Sequence, residues 1–294
     1  MRISTRVVGS SLLIILAAGC KHYASQDFSA NLNRGNAVAA VLPKPRTTPK
    51  PDPLAAFRAV QAVPAWSRQR IVHDVPLKPG KKLFALTFDD GPWPKSTEQI
   101  LQILDEYGAK GTFYMVGEMV RSHPKIARQV RDAGHAVGNH SWSHPSRPRD
   151  AVAEVQKTDA EIKKVLGVLP STFRPPYGIL KNGLARQATR EKMPVIIWSS
   201  DSNDWRRPSA QRIASNVLRY AKPGGIALMH DGGGPRSHTV AALPIIIRAL
   251  QSRGYRLVTV PELLKSRYVA PPKSKKTVQK KTVMKKISSA AKPD

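Results

Sequence analysis

The chain is almost without cysteine: Cys20 is the single one in 294 residues, which excludes an intrachain disulfide and leaves stability to the core. Acidic residues are scarce as well. Twenty Asp and Glu face 48 Lys and Arg, and the formal charge of +28 favours anionic polymers: nucleic acid, acidic envelope polysaccharide or membrane headgroups. A hydrophobic run long enough for a permanent membrane span is lacking too, because the apolar stretch Ser10 to Ala18 falls short of the roughly 20 residues required. No internal repeat is evident.

That short stretch follows Arg2 and Arg6 and ends in Ala17-Ala18-Gly19-Cys20, the layout of a cleaved export signal over residues 1–20. Cys20 stands where bacterial lipoproteins carry the residue that is lipidated after cleavage, although Ala17 replaces the more usual Leu. An ordinary signal peptide ending near a cysteine is the alternative. The reading expects an exported protein of the bacterial cell envelope, anchored to the membrane and facing the periplasm or the cell surface.

Residues 21–80 are rich in Pro, Ala and basic side chains, as in Leu42-Pro43-Lys44-Pro45-Arg46, and read as a semi-extended linker. Residues 265–294 hold ten Lys or Arg against the single acid Asp294 and read as a disordered, solvated tail, with adhesion to anionic polymers as a secondary role. Between them, short apolar runs alternate with amphipathic segments. The expected strands are 83–88, 112–116, 136–139, 171–174, 195–199, 226–229 and 256–260. Helical signals include Ser96 as a cap, Pro124 as a first-turn residue, Asp150 before Val152 and Val155, and periodic apolar positions over 209–220 and 240–251. Such alternation predicts an α/β fold with a parallel sheet, open or closed into a barrel.

In such folds the chemistry collects where strands end. Here the strand ends deliver Asp89-Asp90-Gly91, His140, Arg174, Asp201 with Asp204, and His230. Two adjacent carboxylates at the end of an apolar strand repel one another unless a cation or donors compensate, yet alone they suit an Asp-Gly turn equally well. His140 and His144 have the spacing that places two imidazoles on one face of a helical turn around a metal ion; surface histidines flanking Trp142 are the plain alternative. His22, His73, His123, His135 and His238 lack such a setting and read as surface or capping residues. Pro175 forces Arg174 toward an extended backbone, and the proline-fixed loop holds the following N–H in place, as an oxyanion hole requires. A histidine such as His230, with a carboxylate bonded to it, suits a general acid.

Taken in order, Thr87-Phe88-Asp89-Asp90-Gly91, His140 to His144, Arg174-Pro175-Pro176-Tyr177, Asp201 to Trp205 and Leu228-Met229-His230 resemble the polysaccharide deacetylases of carbohydrate esterase family 4, which share the NodB homology domain. The resemblance covers about residues 82–262. It implies a distorted (β/α) barrel of about seven parallel strands and a divalent metal, zinc above all with Co²⁺ or Ni²⁺ as alternatives, held by Asp90, His140 and His144. It further implies Asp89 as general base oriented by Arg174, the Tyr177 N–H at the oxyanion, and His230 supported by Asp204 as general acid. Leu228, Trp205 and Pro176 would contact substrate. The implied reaction removes N-acetyl groups from N-acetylglucosamine units of peptidoglycan or a chitin-like polymer. O-acetyl ester hydrolysis and non-catalytic glycan binding are the competing readings. Basic tails would meet anionic envelope polymers, a lipid anchor the membrane, and no nucleic acid is expected.

Overall fold

In the computed structural model, which describes residue 52 and residues 54–270, regular structure begins well inside the stretch expected to be a linker. Helix α1 (Ala55–Gln61) buries Phe57 and Gln61. The Gln61 amide satisfies both backbone groups of Val137, donating to its carbonyl at 2.8 Å and accepting from its N–H at 3.0 Å. Trp66 Nε1 donates to Leu264 O at 3.2 Å, and strand β1 (Ile71–Val72) pairs with Val195 and Ile196. At the other end, Tyr268 N–H donates to Pro76 O. The folded unit therefore runs from about 54 to 268, wider than the 82–262 expected. Phe57, Val72 and Val75 are buried one at a time, without the periodicity that marks a core segment in a sequence. The expected leader with Cys20, the linker up to 51 and the tail from 271 lie outside the described residues.

Strand β2 (Leu83–Asp89) is buried at all seven positions, the mark of a sheet covered on both faces. It is followed by α2 (Ser96–Glu106), β3 (Gly111–Met115), α3 (Gly117–Ser122), α4 (Pro124–Asp132), β4 (Ala136–Asn139), α5 (Ala151–Leu166) and α6 (Leu184–Arg190). Then come β5 (Val195–Ile196), β6 (Ser200–Asp201), α7 (Ala210–Arg219), β7 (Ile226–His230), α8 (Ser237–Ser252), β8 (Arg256–Leu257) and α9 (Val260–Lys265). Local chemistry sets several boundaries. Pro124 opens α4, the Asp150 carboxylate accepts from Val152 and Ala153 N–H at the start of α5, and Gly167 ends it at φ 79°. Ser96 does not cap α2 as expected: its hydroxyl donates to Asp231 O, and Glu98 instead accepts from the Lys95 N–H.

Every pairing is parallel. The main sheet runs β4-β3-β2-β7-β6, with β8 also against β2, and β1 pairs β5 separately. Single bridges at Phe173 to Asn139 and to Val195 link the two groups, so no continuous ladder closes the ring. This is the expected parallel α/β architecture in a distorted form. The expected strand 171–174 shrinks to one bridge because Pro170, Pro175 and Pro176 around it supply no backbone donors. Of the expected strand 195–199 only Val195–Ile196 is strand, as β5, and β6 begins just beyond it at Ser200. His135 is not a surface residue: it is buried, its Nδ1 accepts from Gly111 N–H at 3.1 Å, and burial pushes its pKa down to about 3. Nor is the positive charge confined to the tails, since residues 54–270 alone carry about twice as many Lys and Arg as Asp and Glu.

Gln61→Ala would leave the Val137 N–H and C=O unpaired in the interior and is expected to lower the unfolding free energy by about 1–3 kcal/mol. Urea denaturation measures this; a change under about 0.5 kcal/mol, the scale of an ordinary surface substitution, would show that α1 is peripheral to the fold.

Candidate active site

Because the strands are parallel, their carboxyl ends share one edge of the sheet. Asp89 ends β2, His140 follows β4, Arg174 follows the Phe173 bridge, Asp201 ends β6 and His230 ends β7. The edge opens into a cavity of about 420 Å³ whose floor includes Asp89, His140, His144, Leu228 and His230. Its rim carries Tyr177 and Trp205, 63% and 50% exposed. Trp198 also lines it and was not anticipated, because it falls inside the stretch 195–199 expected to be strand, whose regular part ends at Ile196. Pro176 is buried away from the cavity, and Pro175 lines it instead, because the 3-10 turn at Pro176–Gly178 tucks its first residue inward.

Arg174 is fully buried at the centre of this edge. Its guanidinium donates to Thr87 Oγ1 at 2.6 Å, Asp89 Oδ1 at 2.8 Å and Ile196 O at 3.2 Å, and lies 4.1 Å above the Tyr114 ring. Asp89 Oδ1 is thereby occupied, while Oδ2 faces His140 Nε2 at 3.6 Å. The Arg174 carbonyl accepts from His140 Nδ1 at 2.7 Å; a carbonyl can only accept, so Nδ1 carries a proton and, in the neutral ring, the lone pair is on Nε2.

Asp90 takes a φ of 77° and turns away from its neighbour. The turn is held by Asp231, whose buried carboxylate accepts from Gly91 N–H at 3.1 Å and Thr97 Oγ1 at 2.6 Å. Residue 91 must be glycine, since a Cβ there would collide with that carboxylate. Asp90 Oδ1 points at His144 Nε2 (3.3 Å) and His140 Nε2 (3.5 Å) and is buried without a hydrogen-bond partner. One oxygen and two imidazole nitrogens thus converge within 4.8 Å without bonding one another, a donor set that fits a divalent metal of zinc type. The charges agree. Burial alone would raise the Asp90 pKa, but His140 holds it well below the usual range. Burial alone would lower that of His140, but the Asp89 and Asp90 carboxylates raise it. Burial, reinforced by the His140 charge, pushes His144 down to about 4. The two histidines do not share a helical face as expected: residues 140–144 form an irregular loop with Ser141 and His144 at φ 67° and 55°.

Across the cavity, His230 Nδ1 donates to Asp204 Oδ1 at 2.6 Å, which leaves Nε2 for the cavity side. Asp204 Oδ2 accepts from His230 N–H and Thr239 Oγ1, at 2.9 and 2.8 Å. Burial disfavours the imidazolium, yet the Asp204 hydrogen bond and charge prevail and raise the His230 pKa to about 9. Tyr177, at φ 58°, lays its ring 4.5 Å from that of His144, and its N–H donates to no backbone carbonyl among the described residues.

Residues 77–195 match the family model for polysaccharide deacetylases. A peptidoglycan-N-acetylglucosamine deacetylase of Bacillus cereus is 38% identical over 193 residues, 64% of this chain and 91% of that protein. The chain belongs to the polysaccharide deacetylase family. A chitooligosaccharide deacetylase of Bradyrhizobium is 34% identical over 217 residues, 68% of this chain and 98% of the relative. Among solved structures, a crystal structure of a peptidoglycan N-acetylglucosamine deacetylase superposes with a TM-score of 0.63 at 33% identity, covering 68% of this chain and 96% of that one. Membership makes the protein a polysaccharide deacetylase, a hydrolase. The five sequence motifs that suggested it converge on one cavity.

Because the His230 pKa is raised above its ordinary 6.5, the stability contributed by the pair with Asp204 is complete below pH 6.5 and is lost as pH climbs through about 9. Asp204→Asn removes the charge that opposes desolvation and is expected to bring the His230 titration, followed by NMR of its ring protons, down to 6.5 or below. An unchanged midpoint near 9 would mean that Asp204 is not the cause.

Proposed function

We propose that this deacetylase hydrolyses the N-acetyl group of N-acetylglucosamine units in an envelope polysaccharide, peptidoglycan or a chitin-like polymer, releasing acetate and leaving a free amine. The observation that carries the reading is the divergence of two neighbouring carboxylates. Asp89 is held by Arg174 with one oxygen free toward the cavity, whereas Asp90 is turned to the two imidazoles. Asp90, His140 and His144 would hold the metal, with zinc suiting their O, N, N donor set; when bound it supplies Lewis-acid polarisation of the acetyl carbonyl and of water.

The protein's own groups perform the proton transfers. Asp89 Oδ2, left free because Arg174 holds its partner oxygen, accepts a proton from water as the water oxygen attacks the acetyl carbon. The Tyr177 N–H, fixed by the proline turn, donates to the oxygen on which charge develops. His230, charged at neutral pH and oriented by Asp204, donates its Nε2 proton to the nitrogen as the C–N bond breaks. Water is thereby divided between acetate and amine. Leu228 offers an apolar wall to the acetyl methyl, and the exposed faces of Trp205 and Tyr177 suit the broad surface of a sugar ring. The basic character of the folded residues supports an anionic polymer as the carrier of the acetyl group, and the leader-like first 20 residues support an envelope location.

Zinc-loaded protein is expected to release acetate from N-acetylglucosamine oligomers or peptidoglycan in preference to acetyl-xylan. Asp89→Asn should reduce the rate about 10²–10⁴-fold, the size of a lost general base, and a chelator should abolish it reversibly. Preference for acetyl-xylan would favour the esterase reading. No acetate from any of the three, with Asp89→Asn indistinguishable from wild type, would end the catalytic reading altogether.

A further inference from the structure

The loop that carries His140 and His144 is held in an unfavourable conformation. Ser141 and His144 both occupy the left-handed region, at φ 67° and 55°, where a non-glycine residue costs on the order of 1 kcal/mol or more. Something outside the loop must stabilise it, and the structure shows what does. Glu154, on the first turns of α5, reaches beneath the loop with both carboxylate oxygens. Oε2 accepts from the N–H groups of Trp142 and Ser143, at 2.8 and 2.9 Å, and Oε1 accepts from Ser143 Oγ at 2.7 Å. Successive N–H groups converging on one anion form the kind of concavity that elsewhere binds phosphate, here filled by a side chain of the same protein.

A second strut comes from the same helix. Asn139 Nδ2 donates to Val155 O at 2.9 Å and Asp159 Oδ1 at 2.7 Å, which turns its Oδ1 to accept from Ser141 N–H at 2.7 Å. Ser141 Oγ in turn accepts from His144 N–H at 3.1 Å. Within the loop, then, the N–H groups of residues 141 to 144 are each satisfied, two of them by Glu154. No other element supplies charge to the loop backbone among the described hydrogen bonds.

We propose that Glu154 is the positioning residue that preorganises the His140–His144 loop for the metal, so that it sets metal affinity without contacting either the metal or the substrate. This rests on the assignment of Asp90, His140 and His144 as the metal-holding set. Without the Glu154 carboxylate, the N–H groups of Trp142 and Ser143 lose their acceptor, the loop relaxes from its left-handed geometry, and His144 no longer holds its ring toward Asp90. The ordering then has to be supplied by the metal at the expense of affinity. Loss of a group that orients a metal ligand typically weakens metal binding about 10–100-fold.

The test compares zinc dissociation constants, by competition with a chelating dye, for wild type, Glu154→Ala, His140→Ala and Gln61→Ala, the last weakening the fold at Val137 of β4 without removing any hydrogen bond of the loop itself. Amide hydrogen exchange of residues 140–144 is followed in the metal-free proteins. Glu154→Ala is expected to bind zinc about tenfold or more weakly, to exchange the Trp142 and Ser143 amides faster, and to recover deacetylase activity at excess zinc. Gln61→Ala should bind zinc as wild type does. Should Glu154→Ala fail to fold, Glu154→Asp, which keeps the charge but withdraws it by one methylene, replaces it with the same expectations. Zinc affinity within twofold of wild type, or an equal loss in Gln61→Ala, would overturn the proposal. If wild type and His140→Ala bind zinc equally, the metal assignment itself is wrong, a failure distinct from that of Glu154.

Discussion

The structure depends on one buried cation. Arg174 lies wholly inside the protein, and removing a guanidinium from water costs several kcal/mol unless its donors are met and its charge is balanced. Its donors reach Asp89, Thr87 and Ile196, and its face lies on Tyr114. These partners come from β2, β3 and β5, so a single side chain ties β5, which has no ladder to the main sheet and reaches it only through the single bridges at Phe173, to the paired strands β2 and β3. The same residue fixes chemistry at both ends. Its side chain occupies one oxygen of Asp89, and its carbonyl fixes the His140 tautomer. A site built on this contact is rigid because the contact is too costly to break.

From that anchor the division of labour between two adjacent aspartates follows. Residues next to one another in an extended strand point to opposite faces; here the chain leaves β2 at Asp90 in a left-handed conformation and re-aims the second carboxylate. Asp231, immediately after His230, locks that turn by accepting from Gly91, so the two halves of the site are joined by backbone-level contacts. Each group is set by what it meets: Asp89 is oriented by Arg174, His230 is held charged by Asp204, and the Asp90 carboxylate is kept ionised by the imidazoles it faces. Identical side chains acquire different tasks because their environments differ.

The catalytic constellation was legible in the sequence because a parallel sheet converts strand ends into spatial neighbours. A reading that placed Asp89, Asp90, His140, Arg174 and His230 after apolar runs needed only approximate boundaries to bring them to one edge. The illegible parts share a different property. Phe57 and Gln61 act one residue at a time across long sequence separations, without periodicity. The loop at Ser141–His144 resembles a helical turn in spacing, and only its contacts with Glu154 and Asn139 show why it is otherwise. Pro175 and Pro176 exchange roles through the orientation of a single 3-10 turn. His135 is buried although nothing in its sequence neighbourhood marks it, because Gly111 on the adjacent strand provides its partner. Local pattern reports what a segment does alone, whereas these features depend on what it meets.

The central claim is that the two aspartates are separated by function, with Asp90 and both histidines on the metal and Asp89 left free beside it. Anomalous diffraction from crystals of the zinc-loaded protein tests this most directly. The account predicts one zinc coordinated by the Asp90 carboxylate and by Nε2 of His140 and His144, with Asp89 still bound to Arg174 and outside the coordination sphere. Zinc ligated by Asp89 in place of Asp90, or located away from this cavity, would contradict it.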